Sequence, residues 1–294
     1  MARAIARSLG KHVPGNPTVV VRNMPGAGGI IATNYLYNAA EKDGTVLGLV
    51  ENSTPLAPLF GTKEARYDAT KFGWLGTPSI EAGLVLLWHS VPVNSVDDLR
   101  AHVTTVGASG VHSTQAFYSR LLNSTLGTKM KIINGYAGLN DSFLAMERGE
   151  IDGSPSVFYS ALTSSRPTWL TDHLAMVIVQ YGPERLQELP DAPFAPDLVT
   201  NPDDKLLMEA AFAPMALGRP LPMPPGIPTD RLAAMRKALA DVFADSEFKA
   251  VADKSGLIVN APRTGEQLQD VINHAYGSPS RVVDRLRQLD NPEE

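Results

Sequence analysis

The spacing of apolar and polar positions divides the 294-residue chain into short helices and strands in rough alternation. Residues 2–9 predict a helix with Ile5 and Leu9 on one face, stopped by Gly10. The β-branched run at 18–21 predicts a buried strand, followed by the glycine loop N-M-P-G-A-G-G at 23–29 and a helix over 30–40. Residues 45–50 predict the next strand, and the apolar run at 84–88 another. Ser95 with Asp98 reads as a capping box that opens a short helix.

From 103 to 122 the chain reads as a strand, a small-residue loop and the first turns of a helix. A strand at 129–133, the N-G-Y-A-G loop at 134–138 and a helix over 139–148 follow. A strand from Ile151 then gives way at Pro155 to a helical S-V-F-Y-S-A-L run, and 174–180 is the most strand-like stretch, expected at the centre of its sheet. The last third is helical and marked by proline. Thr229 is expected to cap a helix over 230–243, Ser246 starts another, 257–259 reads as a strand, and Thr264 with Gln267 forms a second capping box. The G-S-P-S break precedes a final helix over 281–289.

Strand–helix–strand alternation predicts an α/β protein with parallel sheets. The order of elements predicts a lobe of residues 84–212 inserted into a lobe built from 1–83 and 213–294. Both are long enough for their own cores, and 44% hydrophobic with 19% charged residues is a globular composition.

Charge and cysteine content narrow the chemistry. The net charge is −5 and Lys and Arg are scattered singly, so no basic stripe suggests a nucleic-acid partner. No apolar window approaches the length of a membrane span, and M-A-R-A-I-A-R lacks the apolar centre of a signal peptide. Zero cysteines excludes disulfides and thiolate chemistry without fixing a compartment. The six histidines lack metal-ligand spacing, and no metal or cofactor is expected.

Candidate binding residues fall in loops that end strands. The loop at 106–114 carries Gly107 and Gly110, which allow tight turning and close approach of a ligand, and the hydroxyls of Ser109, Ser113 and Thr114. With Val111 and His112 it precedes a helix whose free N–H groups and dipole favour an anion, which suggests a carboxylate seat. The plainer alternative is a strand-to-helix turn with Ser113 as cap. Gly26, Ala27 and Gly28 in the first glycine loop fit neither a phosphate loop nor a dinucleotide fingerprint, leaving an anion-facing loop or a structural turn. Asn52 and Ser53 lie at a strand's carboxyl end, where α/β sheets place ligands. Tyr136 and Gly138 in the N-G-Y-A-G loop and Ser156 complete the candidate set.

Across nearly the whole chain the sequence resembles the tripartite tricarboxylate transporter substrate-binding family, the Bug or TctC-type extracytoplasmic solute receptors. The resemblance lies in V-V-V-R-N-M-P-G-A-G-G at 19–29, K-D-G-T-V-L at 42–47, Y-D-A-T-K-F at 67–72 and W-H-S-V-P-V-N-S-V-D-D-L at 88–99. It continues in V-G-A-S-G-V-H-S at 106–113, G-Y-A-G at 135–138, G-E-I-D at 149–152, L-P-D-A-P at 189–193 and P-P-G-I-P-T-D-R-L at 224–232.

The resemblance implies a two-lobe type II periplasmic-binding fold with a hinge and a cleft between lobes. It further implies a monomer that closes on a small carboxylate, such as a di- or tricarboxylate or an aromatic acid, and delivers it to membrane transporter subunits. Three departures stand out. The family's first strand and anchoring loop are absent ahead of residue 1, Ala137 follows Tyr136 where the family commonly has Lys, and G-S-P-S interrupts the last helix. With an upstream signal peptide the protein is expected in the periplasm; if the chain is complete as it stands, in the cytoplasm. The alternatives are a truncated or cytosolic two-lobe sensor or scaffold, and, less favoured, a hydrolase using a cleft serine. G-A-S-G-V misses the nucleophile elbow by one position, and Ser109 or Ser113 is badly placed to pair with the adjacent His112.

Overall fold

The computed structural model describes residues 1–292. In chain order the elements begin with α1 (Ala2–Leu9), α2 (Ile30–Asn38), β1 (Gly73–Thr77), β2 (Gly83–Trp88), α3 (Val96–Ala101), β3 (Thr104–Ala108) and α4 (Thr114–Leu126). Then come β4 (Met130–Asn134), α5 (Leu139–Glu147), β5 (Gly153–Phe158), α6 (Tyr159–Ser165), β6 (Ala175–Tyr181) and α7 (Pro202–Leu217). The chain ends with β7 (Leu221–Met223), α8 (Thr229–Ala244), α9 (Ser246–Lys254), β8 (Arg263–Thr264), α10 (Gly265–Tyr276) and α11 (Ser280–Asp290). Two compact units result: Met1–Ile80 with Ala213–Ser278, and Glu81–Phe212 with the segment from Pro279 onward.

The first unit is built on an antiparallel sheet of order β7-β1-β8. Successive strand residues point to opposite faces, so Trp74 and Leu75 of β1 enter different clusters. Trp74 packs with Leu56, Leu268 and Ile272, while Leu75 packs with Leu9, Leu239 and Phe248. Helix α1 forms as its pattern predicts, but Gly10 keeps a right-handed conformation and leads into a further single turn.

Three predicted strands of this unit do not form. Residues 18–21, 45–50 and 257–259 lack ladder pairing. For 45–50 the reason is visible: Gly48 and Val50 donate to the carbonyls of Pro222 and Pro220, at 2.8 and 3.1 Å, and neither proline has an N–H to return. Helix α8 starts after Pro228 with no side-chain cap from Thr229, and α9 begins at Ser246 as expected, capped by Asp245, which accepts from Glu247 N–H. The capping box at Thr264 and Gln267 is present in full.

The second unit carries a five-stranded sheet of order β4-β3-β5-β2-β6. Strand β3 runs parallel to β4 and β5, whereas β2 is antiparallel to both of its neighbours, so the sheet is mixed rather than parallel. Leu84, Phe143, Met146 and Trp169 lie in its core.

Strand β6, expected at the centre, is the last in the order. It reads as central because its outer edge is covered: Gln180 N–H donates to Pro193 O at 2.8 Å, and the fully buried Gln180 amide donates to Leu189 O and Ala192 O. The L-P-D-A-P motif thus closes a sheet edge. Pro155 does not end β5. It sits at a register irregularity opposite β2, where a missing N–H costs no ladder bond, so the strand continues to Phe158.

The segment from Pro279 differs from the expected division of the chain, because its contacts lie in the second unit. Val282, Val283 and Leu286 are buried, Arg281 pairs with Asp203 and Arg285 with Asp204. Two residues before the segment, Gly277 ends α10 in a right-handed conformation.

Candidate functional site

In the second unit the carboxyl ends of β3, β4 and β5 share one edge of the sheet. The chain leaves β3 for β4 on one side and then returns past β3 to β5 on the other. This reversal makes a topological switch point between β3 and β5, the position where open α/β sheets place ligands. The loop at 109–113 leaves β3 there, and the loop at 135–138 leaves β4 beside it. Both Gly135 and Tyr136 donate their N–H to Ala108 O, at 3.1 and 3.3 Å, fixing the second loop to the root of the first.

Within the first loop the side chains have distinct tasks. Ser113 is the N-cap of α4: its Oγ accepts from Ala116 N–H at 3.3 Å and donates to Gly110 O at 2.7 Å. Ser109 is exposed and makes no hydrogen bond among the described residues. Thr114, the first helical residue, is also exposed. His112 turns to the end of α11, its Nδ1 3.1 Å from Asp290 O, and Val111 O accepts from Arg120 Nη1 at 2.9 Å. Ser113 and His112 therefore bond other groups and not each other.

Gly110 differs from the expectation of a glycine-only turn. A Cβ there would meet nothing within 4 Å, and the backbone is outside the left-handed region. Gly107 is the constrained glycine, since a Cβ would lie 2.8 Å from Ile151 Cδ1 and 2.9 Å from Ser142 Oγ.

Tyr136 is half-buried against the core, which raises its phenol pKa, and nearby Glu150 adds to the shift. Gly138 is the N-cap of α5, where Ser142 N–H reaches its carbonyl. Ser156 lies inside β5 rather than at a helix start, buried beside Tyr181, whose hydroxyl donates to Pro155 O. On the same edge Ser160 Oγ donates to Glu81 at 2.8 Å, so the β5 side carries a carboxylate of its own.

The first unit holds the remaining candidates together. Gly26, Ala27, Gly28 and Gly29 all have positive φ, and the loop passes into α2 with Gly29 as N-cap. Thr54 Oγ1 donates to Gly28 O at 3.3 Å, tying this loop to the turn that follows Asn52 and Ser53. Thr54 is itself held by Tyr67, whose hydroxyl donates to its carbonyl at 2.6 Å. Gly26 to Gly28 and Ser53 are exposed and Asn52 is half-buried.

Sequence reading gave no role to Arg120, Thr105, Asp152 or Gln180. Only Asp152 carried a signal, as the last residue of G-E-I-D. Among the described residues no group of three His, Asp or Glu side chains could hold a metal ion, and no helix is long and apolar enough to cross a membrane.

A switch-point loop with a capped helix behind it, in a chain of two α/β units, has the architecture of a solute-binding protein. Residues 1–240 match the family described as TctC, tripartite tricarboxylate transporter family receptor. The chain belongs to that family. Among solved structures it is similar to a TctC solute-binding protein from Polaromonas without ligand, at 18% identity over 99% of this chain and 92% of that one, with a TM-score of 0.74. It is also similar to MatC from Rhodopseudomonas palustris with bound malate, at 19% identity over 99% and 93%, with a TM-score of 0.58. An R. palustris protein with adipate matches at 18% identity over 98% and 91%, with a TM-score of 0.57. No curated protein matches the chain.

Proposed function

We propose that this protein is a receptor for a small carboxylate, held at the 109–114 loop of the second unit and passed to the membrane subunits of a tripartite tricarboxylate-type transporter in the periplasm. The observation that carries the reading is the placement of the loops after β3 and β4 at the switch point of their sheet, ahead of α4. Ser109 and Thr114 supply exposed hydroxyls there, and backbone amides at a helix start favour negative charge. Hydrogen bonds to an ionised carboxylate are each worth about 1.5 to 3 kcal/mol, enough for a few to hold a small acid. The Gly26 to Gly29 loop of the first unit, with Asn52 and Ser53 close by in its fold, is a second set of candidate donors.

The relatives of known structure with malate and adipate make dicarboxylates the first ligands to try. Calorimetric titration with malate, adipate and citrate is expected to give saturable binding of at least one acid, weakening as salt rises. The corresponding diamides are expected not to bind. If none of the three acids produces heat or a rise in melting temperature at millimolar concentration, the carboxylate reading fails.

A further inference from the structure

Helix α11 ends on the anion loop. The last carbonyls of a helix have no partner within it and form the negative pole of its dipole. Here Leu289 O accepts from Arg120 Nε at 2.6 Å, and Asp290 O lies 3.1 Å from His112 Nδ1. The same Arg120 guanidinium donates from Nη1 to Val111 O at 2.9 Å. One planar fork therefore spans from the helix end to the loop, a geometry that arginine provides and lysine does not.

The third nitrogen of the fork, Nη2, is buried and has no hydrogen-bond partner among the described residues, with the Asp290 carboxyl group as its electrostatic neighbour. Because Nε and Nη1 belong to one rigid plane, a shift of the α11 end moves the whole fork and its bond to Val111. Earlier in α11, further side chains anchor the helix to α7 and to α4. Arg281 donates to both oxygens of Asp203, at 2.9 and 2.7 Å, and Arg285 to Asp204 at 2.6 Å and Ser124 Oγ at 3.1 Å. Val282, Val283 and Leu286 are buried beneath it.

We propose that α11 sets the conformation of the 110–114 loop through Arg120, which makes Arg120 a positioning residue for the bound carboxylate; the second half of this statement rests on the function proposed above. The C-terminal helix and the ligand are then coupled, and loosening the helix lowers affinity.

The test is amide hydrogen exchange on the ligand-free full chain, together with calorimetric titration of malate and adipate. Arg120→Met keeps the apolar stem and removes the fork. It is expected to speed exchange over 110–116 and to weaken binding about fivefold or more, in the range of ordinary coupling between sites. Arg120→Lys, keeping the charge without the fork, is expected to restore part of both. Arg285→Gln, remote from the loop, is expected to speed exchange over 280–290 and over 110–116 while strands β2 and β3 stay protected.

Faster exchange confined to 280–290 in Arg285→Gln overturns the coupling, as does an unchanged loop in Arg120→Met. If Arg120→Met does not fold, the Arg285→Gln pattern decides. Coupled exchange in a protein that binds neither acid supports the clamp and removes the carboxylate reading alone.

Discussion

Asp152, just ahead of β5, clasps Thr105 of β3 through four contacts. One carboxylate oxygen accepts from the Thr105 N–H at 2.6 Å and from its hydroxyl at 2.7 Å. In return the Asp152 N–H reaches the Thr105 hydroxyl and carbonyl oxygens, both at 3.0 Å. Both residues lie at the amino ends of parallel strands, so the clasp ties β3 to β5 at the end of the sheet opposite the candidate site.

Asp152→Ala removes a charged acceptor from two donors at once. Hydrogen bonds to charged groups contribute about 1.5 to 3 kcal/mol, so a loss of about 2 to 3 kcal/mol is expected, with Asp152→Asn losing less. Urea unfolding measures it through the midpoint. An unchanged midpoint in Asp152→Ala means that the clasp adds nothing to stability.

The two glycines of V-G-A-S-G are expected to respond oppositely to alanine. At Gly107 the added Cβ would overlap Ile151 and Ser142 in a packed interior, at a cost of about 1 to 3 kcal/mol. At Gly110 the Cβ meets open space, so Gly110→Ala is expected to stay within about 0.5 kcal/mol of the parent. Thermal unfolding of the pair distinguishes them. Equal losses would place the loop in a different packing.

Acid sensitivity of the first unit is expected to centre on Asp245. The Lys11 ammonium, 2.6 Å away, lowers its pKa first, followed by the Glu247 N–H and His12. A carboxyl depressed in the folded state gives stability that is complete above its unfolded pKa of ~3.9 and is lost as pH falls toward the folded value. The difference in denaturant midpoint between parent and Asp245→Asn should thus hold from neutral pH to about pH 5 and shrink below about pH 4. A difference that stays constant down to pH 2.5 would show that Asp245 acts only as a neutral cap of α9.

How far the sequence predicts this molecule depends on whether an element is fixed locally. Helix α4 was legible because Ser113, its cap, and Gly127, which ends it left-handed, are both local signals. Strands needed partners that a single run does not reveal. Residues 45–50 have a strand's composition, yet their neighbours are the prolines at 220 and 222, which accept and do not donate. Position in the sheet was hidden for the same reason, since β6 owes its apolar character to a covering segment beyond Leu189. At the site, the loop at 106–114 was visible as glycine and hydroxyl spacing, whereas Arg120 was not. Its partners Val111 and Leu289 are 9 and 169 positions away, and both offer backbone carbonyls that carry no sequence signal.

Ser109 and Ser113 provide the sharpest test of the carboxylate seat, because their hydroxyls do different work. The Ser113 hydroxyl is committed to the cap of α4, so Ser113→Ala is expected to cost about 1 kcal/mol of stability, as cap removal ordinarily does. Any weakening of ligand binding would then accompany a less stable fold. The exposed Ser109 hydroxyl bonds nothing among the described residues, so Ser109→Ala should leave stability within about 0.5 kcal/mol. If a carboxylate sits at this loop, Ser109→Ala removes one hydrogen bond to it, worth about 0.5 to 1.5 kcal/mol or more for a charged acceptor. Affinity for whichever acid binds would fall by about twofold to tenfold, since each 1.4 kcal/mol is a factor of ten. Titrating both variants at one salt concentration, with their melting curves beside them, separates the roles. Should Ser109→Ala bind as tightly as the parent, the acid is not held by that hydroxyl, and the loop after β3 is better described as the cap of α4.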